Sequence, residues 1–350
     1  MPTIVAAAHA HPPHAVSQSA VKAAAAGFFA GKIPDLDKTL EIFDHSRIDQ
    51  RQFVRPPLWY TQPHTPEERN RVYLEDGLEL CLQAARACLE KAGCPTDAVD
   101  HIIFVSSTGY ATPTLDTHII NRLGLPPGIT RLPIWGLGCA AGAAGLARAA
   151  DYGRAWPRSR TLLVALETCS LTFLQGDLSK KNLVAISLFA DGAAAALVAG
   201  ESVDGSGPRI VASRSHLFPE SYRIMGWDFL ETGMSLVLSP RLPAIVEESA
   251  GRLTDEFLAA HHLTRSDLRF YITHPGGARV VDAIRKSLAL TNGELALTEE
   301  VLRRHGNMSS VSVLVVLEEW MARQGGASAG HGLLSAFGPG FSAELVLLRL

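Results

Sequence analysis

The sequence predicts an α/β fold made of two similar halves, with sheets buried on both faces. Three observations predict it. Short β-branched runs alternate with Ala-rich helical windows, as expected where helices cover both sides of a sheet. Hydrophobic residues make up 47% of the 350 positions and charged residues 19%, enough apolar surface for a large interior. Finally, signatures in the first half recur in the same order in the second.

In chain order, β-branched and apolar runs at 102–105, 161–166, 193–198, 210–213, 269–273 and 345–348 predict strands. Helical periodicity predicts helices at 78–92, 140–152, 241–261, 277–288 and 309–324. The repeat is visible in three places. Phe104-Val-Ser-Ser-Thr-Gly109 matches Tyr271-Ile-Thr-His-Pro-Gly276, and Gly138-Cys139 before a helix matches Gly306-Asn307 before a helix. Phe189-Ala-Asp-Gly192 matches Phe337-Gly-Pro-Gly340, each leading into an apolar run. A polar, Gly-rich turn at 200–207 separates the halves, giving units at 1–200 and 201–350.

Bulk properties narrow the function. A net charge of −3 gives no global attraction to nucleic acid or to an anionic membrane. Five cysteines without CxxC pairing (Cys81, Cys88, Cys94, Cys139, Cys169) suit free thiols in a reducing compartment, not a disulfide scaffold or a metal site. The N-terminus lacks a basic region of the secretory type. The most apolar run, 186–200, is interrupted by Asp191 and is too short to span a bilayer. A cytoplasmic protein is the expectation.

Three residues carry chemistry: Cys139 in Gly-Leu-Gly-Cys-Ala-Ala-Gly, His274 in Tyr-Ile-Thr-His-Pro-Gly-Gly, and Asn307 in His-Gly-Asn-Met-Ser-Ser. A cysteine at a helix start feels the positive end of the dipole, which favours thiolate, and an imidazolium beside it would favour it further. Small neighbours leave room for a carbonyl to reach the sulfur. An imidazole N–H and an amide N–H₂ can together hold an oxygen that becomes negative. Each residue alone also has a plain structural use: Cys139 as a small core residue, His274 in a turn, Asn307 as a helix cap. The repeat turns the set into a site, because it places Cys139 and Asn307 at equivalent helix starts that face each other. Acyl transfer through a thioester is the chemistry the three share.

These motifs carry a resemblance. Gly-Cys-Ala-Ala-Gly, Leu-Phe-Ala-Asp-Gly-Ala-Ala-Ala, His-Pro-Gly-Gly, Gly-Asn-Met-Ser-Ser and Phe-Gly-Pro-Gly-Phe, in that order, resemble the type III polyketide synthases. These are the chalcone and stilbene synthase-like members of the thiolase superfamily. The resemblance implies a thiolase-like fold, two βαβαβ halves forming a layered α-β-α-β-α core, and a homodimer. It implies CoA thioesters as substrates, acyl-CoA and malonyl-CoA, with no metal and no other cofactor. The family's catalytic Cys, His and Asn fall on Cys139, His274 and Asn307, and its gatekeeping Phe on Phe189. Decarboxylation of malonyl-CoA would supply the enolate that attacks an acyl group held on Cys139.

Other family positions map less evenly. The second gatekeeper falls on Leu236 and a cavity-lining Gly on Trp227, a pattern resembling bacterial members that extend fatty acyl starters into alkylpyrones or alkylresorcinols. Cys169, Thr172, Ser107, Thr108 and Ser309 fall on small cavity positions. Of the cationic CoA positions only Lys38 matches; Arg47, Arg51 and Arg55 are nearby candidates for phosphate contacts. A priming ketoacyl-carrier-protein synthase shares the three catalytic residue types and stands as the alternative.

Overall fold

The structure, a computed structural model, describes residues 1–291, 293–323 and 330–350. The last residue of the helix expected at 309–324 lies outside them. Thirteen strands are present among the described residues: β1 Thr3–Ala10, β2 His14–Ser17, β3 Gln50–Phe53, β4 His101–Ser106, β5 Thr130–Trp135, β6 Arg160–Thr168, β7 Asp191–Ala199, β8 Arg209–Leu217, β9 Met225–Leu230, β10 Gly233–Leu238, β11 Leu268–Thr273, β12 His331–Gly338 and β13 Ser342–Arg349. The helices that matter below are α1 Gln18–Phe29, α2 Leu36–Asp44, α3 Pro57–Tyr60, α4 Pro66–Lys91, α5 Asp116–Leu123, α6 Ala141–Ala155, α7 Lys180–Leu188, α8 Leu242–Ala259, α9 Ala278–Leu288, α10 Ala296–His305 and α11 Ser310–Arg323.

Nine strands form one mixed sheet in the order β11-β12-β13-β8-β1-β7-β6-β4-β5. The two halves repeat one pairing pattern. In the first, β4 is parallel to β6, β6 antiparallel to β7, and β7 antiparallel to β1. In the second, β11 is parallel to β12, β12 antiparallel to β13, and β13 antiparallel to β8. The halves join at the single pair Thr3 and Arg209, braced by Ile4 N–H to Pro208 O (2.9 Å) and Ile210 N–H to Pro2 O (2.8 Å).

Period-two burial then sets the layers. Ile103, Val105, Leu163 and Ala165 face an inner core shared with α6 and α11, while Ile102, Phe104, Leu162 and Val164 face α4 on the outside. In the second half Leu334 and Val346 face the same inner core, and Leu333, Leu345 and Leu347 face α8 and α9. The order is therefore helix, sheet, paired helices, sheet, helix. The fold expected from the sequence is the fold observed.

Two local features position the site. Helix α4 begins twelve residues before the expected position 78 because Thr65 and Glu68 form a reciprocal cap. Glu68 N–H donates to Thr65 Oγ (3.1 Å) and Thr65 N–H to Glu68 Oε2 (2.9 Å), with Pro66 opening the first turn. At the centre, α6 and α11 meet at their N-termini. A Cβ at Gly142 would stand 2.3 Å from the Ser310 carbonyl oxygen, so only glycine permits this approach.

Candidate active site

The meeting of α6 and α11 brings Cys139 and Asn307 together from opposite halves. Cys139 lies in the tight turn Gly138–Ala140 that opens α6, with Gly138 at φ +45° and its N–H donated to Ser107 Oγ (3.0 Å). Pro339, from the turn between β12 and β13, packs against Gly138 so closely that a Cβ there would lie 2.8 Å from its Cδ. Asn307 precedes α11. Its Oδ1 accepts from Ser309 N–H (2.7 Å), and its Nδ2 donates to Gly276 O (3.2 Å) in the turn that carries His274. The cap to α11 considered from the sequence is thus an Asx-type bond two residues on, and Ser309 takes the left-handed conformation at φ +49°. His274 follows β11, anchored by its N–H to Ser335 O (2.9 Å).

All three residues are buried: 5% exposure for Cys139, 4% for His274, 2% for Asn307. Burial decides their protonation. It pushes the Cys139 thiol up to about 12, with Glu167 adding to the rise and Ser309 and Asn307 opposing it. It drives His274 down to about 3. The thiolate held by an imidazolium, expected from the sequence, gives way to a neutral thiol and a neutral imidazole. Dipole stabilisation at the start of α6 does not outweigh desolvation of a fully enclosed sulfur. Neither ring nitrogen of His274 has a protein partner, so both remain for a ligand.

One residue was missed in the sequence. Glu167, at the end of β6, is fully buried and accepts from Thr108 Oγ1 (2.9 Å), Ser107 N–H (3.1 Å) and Ser310 Oγ (2.6 Å). Burial raises its carboxyl to about 7, against those hydrogen bonds. A carboxylate inside the apolar run Thr-Leu-Leu-Val-Ala-Leu-Glu-Thr was the available signal, since an acidic residue there needs partners. Ser107, Thr108 and Ser309, expected as cavity wall, are tied to this carboxyl or to the Cys139 turn.

Phe189 ends α7, and its backbone bridges to Asn307: Asn307 N–H donates to Leu188 O (3.0 Å) and Ala190 N–H to Asn307 O (2.9 Å). Phe189, Cys169 and Thr172 share the wall of an apolar chamber that is open to solvent at one side. Trp227 and Leu236 do not line that chamber. They face each other as a cross-strand pair in the β9–β10 hairpin, which Lys181 Nζ fastens to α7 through Ser235 Oγ (3.2 Å).

The cations expected at CoA phosphates need correction. Arg51 is buried, giving Nε–H to Gln18 Oε1 (3.0 Å) and an Nη1–H to the Phe189 carbonyl (2.6 Å). Burial lowers it to about 9 while Asp191 opposes. Arg47 grips both oxygens of Asp282 (2.8 and 2.9 Å), and Arg55 pairs with Asp76. All three engage the protein's own carboxylates and carbonyls, Arg51 from a buried position and Arg47 from an exposed one. Lys38 alone is exposed on α2 and unpaired among the described residues. Among the described residues no cluster of His, Cys, Asp or Glu is placed to hold a metal ion, and no helix is long and apolar enough to cross a membrane.

A buried thiol, an unpartnered imidazole and an amide, contributed by two halves of a thiolase-like sheet, match known proteins over the whole chain. Residues 2–202 match the N-terminal domain model of the chalcone and stilbene synthases, and residues 209–350 the C-terminal domain model. The chain belongs to the chalcone and stilbene synthase family. Within it, a Bacillus subtilis (strain 168) protein provisionally named chalcone synthase is 40% identical over 347 residues, 96% of this chain and 95% of that one. The 1,3,6,8-tetrahydroxynaphthalene synthase of Streptomyces peucetius subsp. caesius is 37% identical, covering 99% of this chain and 93% of its own. The crystal structure of 1,3,6,8-tetrahydroxynaphthalene synthase from Streptomyces coelicolor A3(2), a bacterial type III polyketide synthase, superposes with a TM-score of 0.94 at 31% identity, over 99% and 98% of the two chains. This family member is accordingly a type III polyketide synthase, an acyl-condensing transferase.

Proposed function

We propose that this polyketide synthase takes a medium- to long-chain fatty acyl group from CoA onto Cys139. It then extends the chain with malonyl-CoA and releases a pyrone or resorcinol. The apolar chamber bounded by Cys169, Thr172 and Phe189 is the observation that carries the starter assignment. Tetrahydroxynaphthalene formation, the activity in the names of the Streptomyces relatives, is the competing product.

The chemistry follows from the protonation states. As the Cys139 sulfur attacks the starter thioester, its proton passes to an unpartnered nitrogen of His274, and CoA leaves as its thiol. Malonyl-CoA then loses CO₂, and the electron pair of the broken C–C bond enters the thioester as an enolate. An N–H of His274 and the second N–H of Asn307 Nδ2 hold that enolate oxygen. Carbon–carbon bond formation to the acyl group frees the Cys139 sulfur and leaves a β-ketoacyl-CoA. The cycle repeats before ring closure.

The active assembly is proposed to be a homodimer, supported by the unpaired outer edge of β5 and the exposed aromatic cluster of Tyr110, Trp135 and Phe229 beside it. Light scattering of the purified chain tests it. For the reaction, a starter panel from acetyl-CoA to hexadecanoyl-CoA with malonyl-CoA and no carrier protein, read by mass spectrometry, is decisive. Extended fatty acyl pyrones or resorcinols support the reading. A product made from malonyl-CoA alone in preference to every starter overturns it, and strict carrier-protein dependence favours the ketoacyl synthase alternative.

A further inference from the structure

Three histidines that no step of the reaction uses lie together behind Asn307. His9 belongs to β1 and His11 to its connection with β2, while His305 closes α10 two residues before Asn307. The rings of His11 and His305 stack with centroids 4.2 Å apart and planes 17° apart, and His9 meets His11 edge-on at 4.5 Å. Strand β3 ties this cluster to the catalytic turn. Gln52 Oε1 accepts from His305 Nδ1–H (3.2 Å), and Gln52 Nε2 donates to the Arg304 carbonyl (3.4 Å). Gly306, at φ +68°, lies so close to Arg51 that a Cβ would stand 2.7 Å from Arg51 Cγ. A displaced His305 therefore reaches Asn307 through a single, tightly packed residue.

The charges around the stack leave no place for a further proton. Helix α11 offers one carboxylate, Glu318, which already serves His9 Nδ1 and Lys91 of α4. Arg304, the cation on α10, is paired with Glu300 (3.6 Å) and with Glu319 (3.0 Å). From β3 only the neutral Gln52 reaches His305. Both ring nitrogens of His11 and Nε2 of His305 are buried without a protein partner. A proton on any of them is a charge with no acceptor, set against a second imidazole. Burial, then His305, His9 and Arg304, drive His11 down to about 3, with Glu318 opposing. Burial, then His9 and Arg304, drive His305 to about 3 as well. The C-terminal end of α10 favours a charged ring, but desolvation outweighs it.

We propose that His11 and His305 are positioning residues for Asn307 that hold only while both rings are neutral, so that acid opens the stack and slows the enolate-forming step. This rests on the enolate role given to Asn307 above and adds what keeps that amide in place.

The test follows CO₂ release from malonyl-CoA by the full-length enzyme between pH 5 and 8. Wild-type kcat is expected to fall about tenfold or more from pH 7.5 to 5.5, with KM little changed, and to recover on return to pH 7.5. His11→Phe keeps a ring in the stack, loses no hydrogen bond and removes one titrating group. Its acid loss is expected to begin about one pH unit lower, and His305→Phe is expected to shift the profile the same way. Urea unfolding reads the stack without catalysis. A ring whose proton affinity folding lowers adds stability above pH 6.5, roughly its unfolded pKa, and loses it below. The folding constant of wild type relative to His11→Phe is thus expected to fall at least about tenfold from pH 7 to 5, while Glu167 and His274 titrate in both proteins and cancel. A level ratio, a wild-type kcat that withstands acid, or an acid loss unaltered in His11→Phe overturns the proposal. Asn307→Ala in the same assay keeps the two readings apart. Decarboxylation at the wild-type rate would overturn the enolate role and the link to catalysis, while the unfolding ratio still judges the stack.

Discussion

The two halves share one strand pattern and differ in the connection between their third and fourth equivalent strands. In the second half β12 reaches β13 through a tight turn, Pro339 to Phe341. In the first, residues 169–190 intervene between β6 and β7, carrying Cys169, Thr172, α7 and Phe189. The short connection presses Pro339 onto the Cys139 turn, while the long one contributes Cys169, Thr172 and Phe189 to the wall of the apolar chamber. The helix starts differ as well: the first half presents a thiol, the second an amide and the imidazole-bearing turn. The two matching frames thus divide different groups between them, the thiol and the chamber wall in one, the amide and the imidazole in the other.

Removing the proposed nucleophile is expected to break that division most severely. Cys139→Ala is expected to abolish chain extension, a loss of at least ~10³-fold in product formation. Decarboxylation of malonyl-CoA, which uses the other half, is expected to survive in part; a radiometric CO₂ assay beside product analysis separates the two. Asn307→Ala takes the complementary group and is expected to lower both activities by ~10²–10³-fold, as for other oxyanion donors. Equal loss of extension and decarboxylation in Cys139→Ala would erase the distinction between the halves. Gly142→Ala strikes the contact that joins them. The added methyl would collide with the Ser310 carbonyl, so thermal unfolding should show a loss of about 2–3 kcal/mol with kcat reduced before KM.

Particular residues show what the sequence made legible. The repeat located Cys139, His274 and Asn307 because each sits at a strand or helix end marked by Gly or Pro, a local signal. Six strands were read from β-branched runs. β7 was among them despite its alanines, whereas β1, β2, β3, β5, β9, β10 and β12 were not. Thr3–Ala10 is an Ala-rich central strand whose identity depends on neighbours in both halves. The start of α4 was legible in Thr65-Pro-Glu-Glu and went unread. Protonation was not legible, since dipole and partner can be read locally but desolvation depends on the assembled layers. For the same reason Arg51 looked like a phosphate ligand until the fold buried it, and the cross-strand pairing of Trp227 with Leu236 carries no local signal. Helix α1, which no motif marks, lines the apolar chamber beside Phe189.

A pH-dependent effect concerns Glu167, which touches both halves through Thr108 and Ser310. Its carboxyl sits at about 7 in the folded chain, above the usual carboxylate range, because burial outweighs its three hydrogen bonds. The folded state therefore holds a proton that the unfolded chain releases near pH 4.5. By linkage, this group's contribution is fully favourable below that value and is lost as pH rises towards 7. His274, lowered to about 3, acts oppositely: the unfolded chain binds a proton the folded one refuses, so its contribution grows as pH rises through about 6.5. Wild-type stability mixes the two slopes, but Glu167→Gln removes only the first. Denaturant unfolding from pH 4.5 to 8 should show the stability difference, wild type minus variant, declining by a few kcal/mol as pH rises, with most of the change between pH 5 and 7. A difference that stays flat across this range would mean the carboxyl is ionised in the fold, and that the two halves meet at Glu167 through charge rather than through a shared proton.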